Sequence, residues 1–83
     1  MRAIKTEMRT SDEHAEVAFA EFFDVEFAGQ FRRAVFLLRD RGAAEDVVHD
    51  AFVEVWRRWS EIAEPGPYLN RCVLNGCRDH TTS

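Results

Sequence analysis

The sequence predicts an all-α fold, a compact bundle of three to four helices. Three observations carry that prediction. Apolar residues recur at three- and four-residue steps, no stretch alternates apolar and polar as a half-buried strand would, and Gly, Pro and capping signals fall where such helices need ends. A chain of 83 residues is one domain or less. It buries only about 60–65% of the surface its unfolded state exposes, so a binding partner would add to its stability. Seven Phe and two Trp supply most of the core.

Thr10-Ser11-Asp12-Glu13 has capping-box spacing and predicts a first helix beginning near residue 11, carrying Val17, Phe19, Phe22 and Phe23. A break is allowed around Asp24–Phe27, where the apolar phase is unclear. A second helix sets Phe27, Phe31, Ala34, Val35 and Leu38 on one stripe and stops in Arg39-Asp40-Arg41-Gly42, a basic last turn followed by Gly. The third helix, about Ala43–Glu61, gathers Ala44, Val48, Ala51, Phe52, Val55, Trp59 and Ile62 into a sector about 100° wide. Glu64-Pro65-Gly66-Pro67 stops it, and Pro67 opens a fourth helix, Pro67–Asp79. There Leu69, Cys72, Val73 and His80 group on one side, with Arg71, Asn75 and Arg78 on the other. In domain terms, residues 1–10 form a flexible segment, 11–80 the helical domain and 81–83 a tail.

Charge and chemistry narrow the function. A net charge of −4 counts against a protein that simply coats duplex DNA. The acidity is local, because residues 11–26 hold six carboxylates and no Lys or Arg, whereas residues from 27 onward hold eight of each sign. No apolar run approaches the roughly 18 residues of a membrane span. The N-terminus lacks a secretory stretch and two Cys make no disulfide framework, so the expected location is cytoplasmic. Cys72 lies about 140° from Cys77 on a helix, which keeps Cys72, Cys77 and His80 from converging on a metal. Neither a catalytic constellation nor a cofactor motif is present, so an enzyme is not expected.

The run Ala-Ala-Glu-Asp-Val-Val-His-Asp-Ala-Phe-Val-Glu-Val-Trp-Arg-Arg-Trp (Ala43–Trp59) resembles region 2 of sigma factors, and within the sigma-70 family the extracytoplasmic-function (ECF) group. Phe19-Ala-Glu-Phe-Phe and Phe31-Arg-Arg-Ala-Val-Phe-Leu-Leu-Arg-Asp look like the helices preceding that motif, and Pro67-Tyr-Leu-Asn-Arg-Cys-Val-Leu-Asn-Gly-Cys-Arg-Asp-His is similar to the segment following it. Three segments in family order cover about residues 19–80. The sequence departs from the pattern at His49, where Gln is usual, at Gly76, normally a helix-forming position, and in a short Ile62–Tyr68 connection. The given sequence stops where region 2 stops, before the family's second helix-turn-helix domain, and the expectation is an excised domain, the alternative being a naturally reduced protein.

The resemblance implies partners and faces. Asp46, His49, Asp50 and Val53, with Trp56 and Arg57 beside them, lie opposite the apolar sector of the third helix; in the family this surface docks on the β′ clamp coiled coil of RNA polymerase core. Carboxylates beside small apolar contacts suit charge-assisted bonds to Arg on a partner helix. Arg71 and Arg78 suit phosphates, and Asn75 suits a base edge. In the family this helix and the preceding loop hold the non-template single strand of the −10 promoter DNA and a flipped base. Ile62, the Glu64–Pro67 loop and Asn75 would supply that base with wall and hydrogen bonds, with Tyr68 at the edge of the Arg71, Asn75 and Arg78 face. An anti-sigma factor is a further implied partner. The rival expectation is a protein-interaction module that kept this fold and lost DNA binding.

Overall fold

The computed structural model describes the backbone of residues 2–82 and the side chains of residues 13–81. Three helices follow one another: α1 (Arg2–Leu38), α2 (Arg41–Arg57) and α3 (Pro65–Thr82). No strand occurs among the described residues, so the all-α bundle stands, with three helices.

The two helices expected before residue 39 are one. The backbone is helical from Arg2, so no helix begins at the Thr10–Glu13 spacing and none breaks at Asp24–Phe27. The expected flexible segment, residues 1–10, lies outside the residues whose side chains are described. Phe19, Phe23, Phe27, Phe31, Ala34 and Leu38 continue at three- and four-residue steps straight through the suspected break. Val25 had obscured that phase: it is apolar but 77% exposed. The phenyl rings form a ladder along α1, with Phe23 stacked on Phe27 at 5.1 Å and Phe27 on Phe31 at 5.7 Å.

Arg39 ends α1 with φ of 58° and donates its N–H to the Val35 carbonyl at 2.7 Å. It occupies the left-handed position usually given to glycine. Gly42, expected to terminate the helix, instead lies in the first turn of α2. Asp40 caps α2, its backbone extended and its Oδ1 accepting from the Ala43 N–H at 3.1 Å.

α2 stops at Arg57 rather than Glu61, and the chain continues in tight turns in which Trp59 N–H donates to the Trp56 carbonyl and Glu61 N–H to the Arg58 carbonyl. Those turns still deliver Trp59 and Ile62 to the core. α3 starts two residues earlier than expected, so Glu64–Pro67 is largely its first turn and not a loop. Pro65 and Pro67 fit there because first-turn N–H groups have no intrahelical acceptor. The far end also shifts, to Thr82.

Ala34 of α1, Ala44, Val48, Ala51, Phe52 and Val55 of α2, and Leu69, Val73 and Cys77 of α3 form the buried core. His80, expected on the apolar side of its helix, is exposed. Gln30 is buried among these helices and donates through Nε2 to Asn70 Oδ1, a polar link between α1 and α3. At Gly76 an added Cβ would lie 2.8 Å from Val47 Cγ1. The sequence marks Gly76 as a break in helix-forming character, but the structure makes it the position where α3 comes close against α2.

Gly76→Ala is therefore expected to lower stability by about 1 kcal/mol, overpacking outweighing the gain in helix propensity. In a Val47→Ala background the same change should raise stability by about 1 kcal/mol. Denaturant melts of the four proteins decide it, and the same sign in both backgrounds would exclude the clash. At the α1–α2 corner, Arg39→Gly should add about 0.5–1 kcal/mol and Asp40→Ala should remove about 1 kcal/mol. A loss of stability on Arg39→Gly would contradict the left-handed cap.

Candidate interaction faces

α2 packs one face on both other helices, and that packing turns its opposite face outward. Asp46, His49, Asp50, Val53, Trp56 and Arg57 are all exposed, Val53 by 56% and Trp56 by 41%. The outward face then divides in two. Its apolar half leans toward α1, where His49, Val53 and Trp56 join Phe19, Phe23 and Phe52 around a hollow of about 270 Å³. Phe19 stands 5.1 Å from the Trp56 ring and makes an edge contact with Trp59 at 5.3 Å. The contribution of α1 to this surface was not foreseen from sequence. The signal available was the surplus of Phe on α1, more rings than a core of this size takes up.

The acidic half leans toward α3. Asp46 and Asp50 share a groove of about 560 Å³ with Glu54, Cys72, Asn75 and Asp79. Asn75 is thus exposed beside carboxylates of two helices, an environment that attracts cations rather than phosphates.

The five residues expected to face DNA are not gathered at one point. Tyr68 and Ile62 are half-buried at the α2–α3 junction, and Arg71 is exposed one turn further along α3. Asn75 opens into the acidic groove, while Arg78 borders a separate hollow with Leu37, Leu74, Cys77 and Thr81.

The junction itself is organised by Glu54, a residue outside the faces expected from sequence. Its Oε2 accepts from Arg58 Nε at 2.7 Å and, more weakly, from the Tyr68 hydroxyl at 3.4 Å, and its Oε1 lies 3.6 Å from Arg57 Nη1. The bond to Glu54 raises the Arg58 pKa above its ordinary value, and burial raises that of the Tyr68 phenol. Glu54 and Arg58 stand four apart, a spacing that signals a helical ion pair in any sequence. Tyr68, fourteen residues further on, could not be added to it by spacing.

Cys72 is half-buried and Cys77 buried, both as free thiols. Burial pushes both thiols up from the usual cysteine value, which keeps them protonated and unreactive near neutral pH. No group of three or more His, Cys, Asp or Glu among the described residues is placed to hold a metal ion. Nor is any described helix long and apolar enough to cross a membrane.

The model of the family described as Sigma-70 region 2 matches residues 30–83. The ECF RNA polymerase sigma factor SigK of Mycobacterium tuberculosis (strain ATCC 25618 / H37Rv) is 38% identical over 49 residues, 59% of this chain and 26% of that protein. The SigK of Mycobacterium bovis (strain BCG / Pasteur 1173P2) matches to the same extent. The aligned part is thus about a quarter of the length of these relatives. No solved structure matches the chain.

Proposed function

The chain belongs to the sigma-70 region 2 family, and on that premise we propose that it is the part of an ECF sigma factor that binds RNA polymerase core and opens the −10 promoter element. It works by binding, in the cytoplasm, and performs no chemistry of its own. One observation carries the reading: α2 keeps Val53, opposite the core, and Trp56, at its edge, exposed beside carboxylates. A merely solvated face would not hold large apolar side chains beside an apolar hollow. Asp46, His49, Asp50, Val53, Trp56 and Arg57 form the surface for the β′ clamp coiled coil, with Phe19 and Phe23 extending it. An amphipathic, basic partner helix suits it, its apolar stripe in the hollow and its Arg on Asp46 and Asp50. An anti-sigma factor, which must exclude polymerase, would cover this same surface.

Ile62, Tyr68, Arg71, Asn75 and Arg78 form the DNA side. Tyr68 gives a displaced base an aromatic wall, and Arg71 gives it a phosphate partner. A second reading, a protein-interaction module without DNA binding, is favoured by Asp46, Asp50 and Asp79 around Asn75.

Asp50→Arg should weaken binding to polymerase core by about 2–4 kcal/mol and leave the melting curve unchanged. Unchanged affinity with an unchanged melt would remove this face from the interface. Titration of labelled single strands into the complex with polymerase core separates the two readings. Asn75→Ala should lose about 1–3 kcal/mol on the preferred −10 strand and much less on a scrambled one. Arg71→Ala should weaken both strands alike and make the salt slope shallower by about one unit. If neither substitution changes binding to either strand, the DNA-free reading holds.

A further inference from the structure

We propose that Arg58 and Arg71 form a phosphate-binding site around Tyr68 at the α2–α3 junction, and that Glu54 competes with nucleic-acid phosphate for Arg58. The inference rests on the reading that this junction faces single-stranded DNA, and adds to it a residue pair and a restraint on binding.

Both arginines neighbour Tyr68, one through Glu54 and the other through its place on α3. Arg58 is held at the end of α2 by Glu54, and the Tyr68 hydroxyl reaches the same carboxylate oxygen. Arg71 is exposed and follows Tyr68 by three residues, about one turn along the same helix. Arg71 makes no ion pair among the described residues, whereas Arg58 and Arg57 are both engaged by Glu54. The proposed site thus holds one available cation, Arg71, and one occupied by an internal carboxylate, Arg58.

That engagement is reversible. The side chains of Arg58 and Arg57 remain 57% and 73% exposed, and Glu54 is 32% exposed, so solvent and salt reach every member. Exposed pairs of this kind hold weakly and open readily. A phosphate is equally able to accept from a guanidinium and carries a comparable charge, so it can replace the carboxylate at little net gain or loss. Pro65 and Pro67 remove two N–H donors from the first turn of α3, which shifts anion recognition there onto side chains. Tyr68 supplies a ring at the centre on which a base can stack. With Glu54 in place, binding is held below what the basic residues alone would give, which limits capture of arbitrary single strands.

The test titrates a labelled single strand of mixed sequence into the whole 83-residue chain at several salt concentrations. Glu54→Gln should bind about threefold to tenfold more tightly at low salt, with a log–log salt slope steeper by about one. The gain should vanish when Arg58→Ala is added. Glu45→Gln, the same charge change on an exposed residue at the other end of α2, should tighten binding less than about twofold. Equal gains from Glu54→Gln and Glu45→Gln, no gain from Glu54→Gln, or a gain that survives Arg58→Ala would each overturn the proposal. If the melting curve shows that Glu54→Gln folds poorly, Glu54→Asp draws the carboxylate back by one methylene. It should then tighten binding at least about twofold, and no tightening overturns the proposal equally. Loss of affinity on Arg71→Ala without a gain on Glu54→Gln would sink the competition alone. Absence of any salt-dependent binding, with Arg71→Ala silent, would sink the DNA reading together with it.

Discussion

Phe52 is the contact on which the arrangement of this molecule depends. Its ring, 3% exposed, lies within 4.6–6.3 Å of the rings of Phe19, Phe22, Phe23 and Phe27, which span more than two turns of α1. Each aromatic pair contributes about 0.5–1.5 kcal/mol beyond the area it buries. Together these contacts fix α2 along α1 and also about its own axis. Once Phe52 points inward, Val53 must point outward and Trp56 must lie at the edge, because neighbouring positions on a helix are about 100° apart. The outward face of α2 is thus a geometric consequence of how its inward face is held.

The third helix is placed by a different means. Where α2 and α1 meet through large rings, α2 and α3 meet at Gly76 and Val47, with Leu69, Val73 and Cys77 filling the space beside them. Close backbone approach brings Asn75 and Asp79 to the same groove as Asp46 and Asp50. It also sets Tyr68 within reach of Glu54, whose carboxylate joins the end of α2 to the start of α3. The surface proposed for polymerase, on α2, and the residues proposed for DNA, mostly on α3, would therefore meet along one helix–helix contact. The cost is electrostatic: the carboxylates suited to a basic partner helix stand close to the residues that would receive DNA.

Such a division has a physical advantage in so small a domain. A chain of this length cannot build two separate rigid sites, since it has one core to support them. Packing α3 on α2 around that one core lets a single arrangement position both.

The sequence by itself determined the helical class, the core face of α2 and the outward placement of Asp46, His49, Asp50 and Val53, because a helical period is a local property that spacing alone reveals. It also carried the family likeness, which rests on the order of motifs. Tertiary structure decided the rest. α1 runs unbroken because its rings pack on Phe52, and local sequence around Val25 contains no sign of that partner. Gly76 looked unfavourable within its own helix, yet its value lies in Val47, twenty-nine residues away in sequence. Pro65 rather than Pro67 opens α3, since either proline satisfies the local rule. The junction of Glu54, Arg58 and Tyr68 was likewise hidden. A spacing of four announces the first two, but the third arrives only when two helices close on one another, and no periodicity records which ends of two helices will meet.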